Sequence, residues 1–240
     1  MAGLLHPGLV ILSGAGLSAE SGVPTFRGLD GLWEGQRIED VATLEAFQRQ
    51  PERVHRFYNL RRAALKEVMP NAAHEALVRL EQCWPGPFLH ITQNVDDLSE
   101  CAGAKKLLHM HGQLRQVRCL WCRSVLEWHG DLAVSTPCPE CSRTGRLRPD
   151  IVWFGEMPYY IDEITRALQT ADVLICIGTS GVVYPAAGFA RLAAESGCER
   201  LIEVNLEPTG ISGQFTELRQ GPATREVPQL VEELLAYLSR

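Results

Sequence analysis

Cys119 and Cys122 are separated by two residues, Cys138 and Cys141 likewise, and fifteen residues lie between the two pairs. No other feature constrains the chain as strongly, because this is the spacing of a four-cysteine zinc ribbon. Four thiolates complete one tetrahedral shell and leave no position for water, so the predicted zinc is structural. The other cysteines, Cys83, Cys101, Cys176 and Cys198, are scattered singly. That split favours metal binding over a disulfide scaffold. Residues 115–150, which hold both pairs and six arginines and show little apolar periodicity, read as an inserted module.

Around that insertion the sequence alternates between buried strands and amphipathic helices. Leu9 to Gly14 is an apolar run ending in glycine, and a broken Gly/Pro/Ser-rich stretch follows to about Trp33. The pattern turns helical at Thr43. Residues 51–69 read as one helix with Pro51 in its first turn, and a second helix follows with Asn71 as its N-cap. A buried strand over 87–94 comes next. Beyond the insertion come a strand in DIVWF (150–154), a helix over 161–170 and the apolar strand ADVLICIG. A helix after Pro185, the strand RLIEVN and a C-terminal helix starting at Pro228 complete the pattern. The fold class is therefore α/β: a Rossmann-like parallel sheet with helices on both faces, plus a small inserted zinc-ribbon module. At 240 residues the chain suits one domain, its core formed by about 1–114 and 151–240.

The net charge of −6 gives no footprint for nucleic acid or for an anionic membrane. There is no apolar run long enough for a transmembrane helix, and the N-terminal stretch lacks a basic segment and a cleavage site. Cytoplasm is the expected location. No motif fixes an oligomeric state, and a monomer is compatible with the sequence.

Three further motifs carry chemistry. GAGLSA, Gly14 to Ala19, directly follows the first strand and fits a glycine-rich dinucleotide turn. The long helix and second strand of a dehydrogenase do not follow it; SGVPTFRGLDGLW intervenes, so a modified nucleotide site is expected. TQNVDDL, Thr92 to Leu98, leaves the sheet where open parallel sheets bind ligands. Asn94 and Asp96 could face that cleft together, or Asp96 could cap the next helix. His109 and His111 lie two apart; either could act as a general base near neutral pH, and spacing does not choose between them.

GAGLSAESGVPTFRG, TQNVD, HMHG, the paired cysteines, DIVWFGE, GTSGVVYPAA and VNLEP, in this order, resemble the sirtuins, NAD-dependent protein deacylases. The resemblance covers nearly the whole chain and implies NAD as a consumed co-substrate, one structural zinc, and acyl-lysine-bearing proteins or peptides as partners. It assigns Gly14, Ala15, Gly16, Ser18, Ala19 and Glu20 to the cofactor segment, continued by Pro24, Thr25, Phe26, Arg27 and Trp33. It places Gln93, Asn94, Val95 and Asp96 at the nicotinamide end, and Gly178, Thr179 and Ser180 along the adenosine half. Asn205, Leu206, Glu207 and Ala223 complete that half, and His111 becomes the catalytic base. Val152, Trp153, Phe154 and Gly155 would form one edge of a peptide site, and Gly181 to Tyr184, with Val182, the other. One departure is visible: Ser99 stands where many sirtuins have histidine.

The resemblance also reaches acyl choice. Tyr58 and Arg61 share a helical face and are similar to the pocket pair of the subclass, class III, that removes succinyl, malonyl and glutaryl groups. Ala42 is similar to the small residue that leaves that pocket room. A guanidinium fork suits a carboxylate, and a phenol could supply one more hydrogen bond.

Overall fold

The computed structural model describes residues 6–25, the backbone of 32–33, and 35–238. In chain order the strands are β1 (Leu9–Ser13), β2 (Leu32–Trp33), β3 (Gln36–Arg37), β4 (Phe88–Thr92), β5 (Leu107–His109), β6 (Gly112–Cys119), β7 (Val125–Glu127), β8 (Leu147–Ile151), β9 (Val173–Ile177), β10 (Arg200–Asn205) and β11 (Glu217–Gln220). The helices are α1 (Ile38–Val41), α2 (Leu44–Arg49), α3 (Pro51–Ala64), α4 (Ala72–Cys83), α5 (Leu98–Ala102), α6 (Ile161–Gln169), α7 (Phe189–Glu195) and α8 (Ala223–Leu238).

The main sheet has six parallel strands in the order β11-β10-β9-β1-β4-β5. Its central strand shows why the apolar run was unbroken. Leu9 and Ile11 pack toward α4 and α8, while Val10 and Leu12 pack on the opposite face toward α6 and α7. A strand buried on both faces cannot alternate with polar residues. The order reverses beside β1, between the β4 side and the β9 side, so both carboxyl ends open onto one crevice there.

Local chemistry explains the helix boundaries. Asn71 accepts from the backbone of Ala73 at 2.9 Å and of His74 at 3.4 Å, and His74 Nδ1 accepts in return from Asn71 N at 3.2 Å. This is a capping box with histidine in the usual glutamate place. α3 ends at Ala64 and not at Met69 as expected. Met69 precedes Pro70, which disfavours helical backbone, and the chain loosens into turns before it. α8 begins at Ala223, five residues ahead of Pro228. Its N-terminus is satisfied from a distance: the Glu20 carboxylate accepts from Thr224 N at 3.0 Å and from Thr224 Oγ1 at 2.8 Å.

The expected DIVWF strand is corrected. β8 covers Leu147–Ile151 and pairs antiparallel with β6, in a separate three-stranded sheet of order β7-β6-β8. Val152 to Phe154 leave that sheet and are held from two sides: Val152 N donates to His111 O at 2.9 Å, and Phe154 N to Ala42 O at 3.0 Å. The small sheet spans Gly112–Ile151, slightly wider than the 115–150 read from composition. Helix α3 grips it. Asn59 brackets Leu132, donating to its carbonyl at 3.0 Å and accepting from its N–H at 2.9 Å. Arg62, buried, donates to Leu114 O at 2.7 Å and to Gly130 O at 3.2 Å.

Candidate functional site

A cavity of about 830 Å³ opens at the crevice beside β1, within the ~300–1,000 Å³ usual for ligand sites. Its floor is two backbones in contact. Gly14 N donates to Ile177 O, and Gly16 N to Gly178 O, both at 2.9 Å. A Cβ on Gly16 would lie 2.5 Å from Gly178 Cα, and one on Gly178, at φ +60°, would lie 2.5 Å from Gly16 Cα. No side chain fits at either turn, so the floor stays bare for a ligand backbone such as a pyrophosphate.

The loop after β4 is fixed from beneath. Ser13 Oγ donates to Thr92 Oγ1 at 2.9 Å, and Thr92 Oγ1 also accepts from Asn94 N at 3.0 Å. Asn94 Nδ2 donates to Ser18 Oγ at 3.1 Å. His74, spent as an acceptor at Nδ1 in the capping box, carries its proton on Nε2, 3.4 Å from the same Ser18 oxygen. Burial lowers His74 to about 4, so it stays neutral. Asp96 lines the cavity, and its Oδ1 accepts from Leu98 N at 3.2 Å in an Asx turn; the N-cap of α5 is Asp97, so the expected cap at Asp96 is corrected. Burial raises its carboxyl. Gln93 Nε2 donates to Thr179 Oγ1 at 2.9 Å, and Asn205 Nδ2 to Thr179 O at 2.8 Å, so three strand ends are laced together.

The histidines part company. β5 ends at His109, and a turn through Met110 aims His111 at the cavity. Gly112 makes that turn possible at φ +81°, where a Cβ would sit 1.9 Å from Asp150 O. His111 Nδ1 lies 3.1 Å from Gln93 O, an acceptor, so the proton of the neutral ring sits on Nδ1 and Nε2 keeps its lone pair. Burial lowers the ring's pKa, partly opposed by the Gln93 carbonyl. A neutral imidazole with one open nitrogen is what a general base requires. His109 does not line the cavity.

The far wall comes from α3 and Val152–Glu156. Arg61 lines the cavity, its Cζ 3.2 Å above the Phe57 ring centroid and Nη1 2.6 Å from Phe57 O. Tyr58 does not line it; the fully buried phenol accepts from Trp153 Nε1 at 2.9 Å. Burial and the loss of solvent raise the phenol's pKa. Arg148 stacks 3.4 Å over the Trp153 ring and holds the Glu156 carboxylate at 2.6 and 2.9 Å. Burial alone would raise Glu156, but Arg148 and the Trp153 N–H at 2.9 Å keep it below the usual carboxylate range.

The four thiols of Cys119, Cys122, Cys138 and Cys141 lie within 4.8 Å of one another. Cys119–Cys141 and Cys122–Cys138 sulfur distances are 3.8 and 3.7 Å. A tetrahedral ion with Zn–S bonds of ~2.3 Å requires sulfurs ~3.8 Å apart. A disulfide needs ~2.05 Å, so the set fits zinc and excludes paired bridges.

Of the residues expected at the site, most line this cavity: Gly14, Ala15, Gly16, Ala19, Pro24 and Thr25; Gln93 to Asp96 and His111; Gly178 to Ser180, Asn205, Leu206 and Ala223. On the peptide side Arg61, Val152, Trp153, Phe154, Gly155 and Val182 do so too, as does Ala42. Ser18, Glu20, Glu207 and Tyr58 stand outside the lining. Ser18 acts from below through Asn94, and Glu20 caps α8. Phe26 and Arg27 lie outside the described residues, as does the side chain of Trp33. Sequence reasoning missed Ala64, Leu65 and Val68, which continue the wall from Arg61. Ala64 is one turn on from Arg61 and helical spacing could have revealed it, whereas Leu65 and Val68 lie beyond the end of α3, where no periodic signal reaches.

The family profile described as Sir2 matches residues 14–185. An NAD-dependent protein deacylase of Bdellovibrio bacteriovorus is 58% identical over 233 residues, covering 96% of this chain and 98% of its own. A solved Sir2 homologue–NAD complex aligns with a TM-score of 0.86 at 40% identity, over 96% of this chain and 90% of that one. A Sir2 protein bound to acetylated peptide aligns at 0.80 with 28% identity, over 94% and 92%.

Proposed function

The chain belongs to the Sir2 family and is an NAD-dependent protein deacylase, and from that premise we propose that its cavity prefers lysines bearing acidic acyl groups, succinyl and malonyl, and also accepts acetyl. The observation that carries this reading is Arg61: a buried guanidinium set in the wall of the cavity that Ala42 also lines. A carboxylate entering a dry pocket needs a fixed cation, and an acetyl group does not. Tyr58 contributes by holding Trp153, the wall along which the lysine stem would run.

The adenosine half of NAD would lie along Gly178 to Ser180, Asn205, Leu206 and Ala223, over the bare Gly14–Gly16 floor. Gln93, Asn94 and Asp96 would hold the nicotinamide end. There the acyl oxygen bonds to the ribose carbon as its bond to nicotinamide breaks, the electron pair leaving with nicotinamide. His111 Nε2 accepts the proton of a ribose hydroxyl, which then takes the acyl group. With water consumed, the products are free lysine, nicotinamide and O-acyl-ADP-ribose. Backbone edges at Val152–Gly155 and around Val182 would receive the peptide as an added strand. The zinc, held by the four cysteines, would supply folding free energy and no chemistry. No helix among the described residues is long and apolar enough to cross a membrane; we place the reaction in the cytoplasm.

Mass spectrometry of NAD with acetyl-, succinyl- and malonyl-lysine versions of one peptide tests the reading. Faster release of O-succinyl- and O-malonyl-ADP-ribose is expected. Equal or faster turnover of acetyl-lysine overturns the acidic-acyl preference.

A further inference from the structure

Two histidines hold consecutive carbonyls of one loop. His111 Nδ1 faces Gln93 O at 3.1 Å, and His109 Nδ1 faces Asn94 O at 3.0 Å. The second nitrogens differ. His111 Nε2 is left for the cavity, whereas His109 Nε2 lies 2.6 Å from Glu100 Oε1 on α5. That carboxylate oxygen also accepts from Gln113 Nε2 on β6 at 3.0 Å. Both partners of His109 are therefore acceptors. A neutral imidazole has a single N–H and can serve only one of them.

We propose that His109 is a positioning residue: an imidazolium that, backed by Glu100, clamps the Asn94 carbonyl and so holds the Gln93–Asp96 loop ready for the nicotinamide end of NAD. The proposal rests on the reading above that this loop receives that end. His109 touches no cavity space and acts only through Asn94, whose side chain does line the cavity.

The surroundings agree. Burial of the ring works against its charge, but Glu100, the Asn94 carbonyl and Asp96 together raise its pKa above the ordinary value. Among the described groups facing it, Glu100 and Asp96 are acidic, Gln113 is neutral, and His90 on β4 is kept neutral by burial, at about 3. Arg115 on β6 is paired with Asp97. With a pKa raised above the ordinary value, the clamp is complete below that pKa and loses one of its two bonds as pH rises through it. His111, depressed, has the opposite limb, so activity is confined between the two histidines.

The direct test is nitrogen-15 NMR of histidine-labelled protein at pH 7. His109 should show protons on both ring nitrogens and His111 on Nδ1 alone. The second measurement uses Glu100→Gln, which keeps an acceptor oxygen but removes the charge that holds His109 as an imidazolium. Its affinity for NAD should fall about tenfold or more, the range for one hydrogen bond to a charged group. Its affinity for ADP, which occupies only the adenosine half, should hold. The alkaline limb of kcat/KM for NAD should move to lower pH, with KM for peptide little changed. His109→Gln, whose donors sit on a single nitrogen and do not span Asn94 O and Glu100 as the two ring nitrogens do, should reproduce the NAD loss. A singly protonated His109 at pH 7 overturns the proposal. So does equal loss of NAD and ADP in step with a fall in Tm, or an NAD affinity unchanged by Glu100→Gln. Loss of succinyl preference with these results intact would strike only the acyl reading.

Discussion

Trp153 donates its indole proton to the Tyr58 phenol oxygen at 2.9 Å, the two rings 6.4 Å apart and inclined by 36°. Tyr58→Phe keeps the ring but leaves that indole N–H without its acceptor in a dry interior. The expected cost is about 1–3 kcal/mol of stability. Turnover should fall by a similar factor for succinyl- and acetyl-lysine, because both pass the same wall. Calorimetry and paired kcat/KM values check this; a loss confined to succinyl-lysine would mean that the phenol reads the acyl group itself.

Arg61→Met should behave differently. Removing the cation that meets a buried carboxylate costs about 3–5 kcal/mol, so desuccinylation should drop roughly a hundredfold or more. Deacetylation should fall much less, or rise. Arg61→Lys keeps the charge and loses the planar fork, and should lie between the two. Equal losses on both substrates would show Arg61 to be a support of the fold.

His111→Ala should cost about 10²–10⁴-fold in deacylation while NAD still binds, since the contacts proposed for the adenosine half lie elsewhere. The depressed pKa of His111 also predicts an acid limb below the ordinary histidine value. Activity is retained above that pKa and lost as pH falls through it. A pH–rate profile of the wild type, with NAD titrations of the variant, makes the measurement. An acid limb at or above the ordinary value would contradict the buried, neutral base.

The framework was the most legible part of the sequence, for a physical reason. Strands such as Val173–Ile177 declare themselves by burial on both faces, and Asn71 announces a helix by local hydrogen bonding. The four cysteines are legible because metal geometry restricts spacing. What escaped was decided at a distance. The start of α8 depends on Glu20, more than 200 residues away. Sequence patterning read DIVWF as a strand, but only Asp150 and Ile151 belong to β8; Val152 to Phe154 are held by the His111 and Ala42 carbonyls, distant partners that no local pattern shows. The histidines could not be ranked from spacing; the turn at Gly112 and the Glu100 carboxylate separate them.

Elemental analysis should find one zinc per chain. Cys119→Ser or Cys141→Ala should lower solubility and Tm before changing acyl preference or NAD affinity, because metal binding to such a set is folding free energy. Active, well-folded protein without zinc would refute the structural assignment.

Gly16→Ala tests the floor of the cavity. Its methyl would sit 2.5 Å from Gly178 Cα, and every atom it meets there is Gly178 backbone, which cannot rotate away. Overpacking of this kind costs about 1–3 kcal/mol, and NAD affinity should fall more than peptide affinity. Isothermal titration with each ligand separates the two; unchanged NAD binding would place the pyrophosphate elsewhere.

Helix α3 faces two ways. Arg61 lines the cavity and Tyr58 anchors its Trp153 wall, while Asn59 and Arg62 take hold of Leu132 and Gly130 in the cysteine-bearing insertion. The insertion is thus no detachable cassette. A chimaera that exchanged residues 115–150 for another ribbon would have to restore a backbone N–H and carbonyl where Leu132 now presents them. Without them the helix would lose its outer mooring, and substrate choice would drift under a graft that never touches substrate.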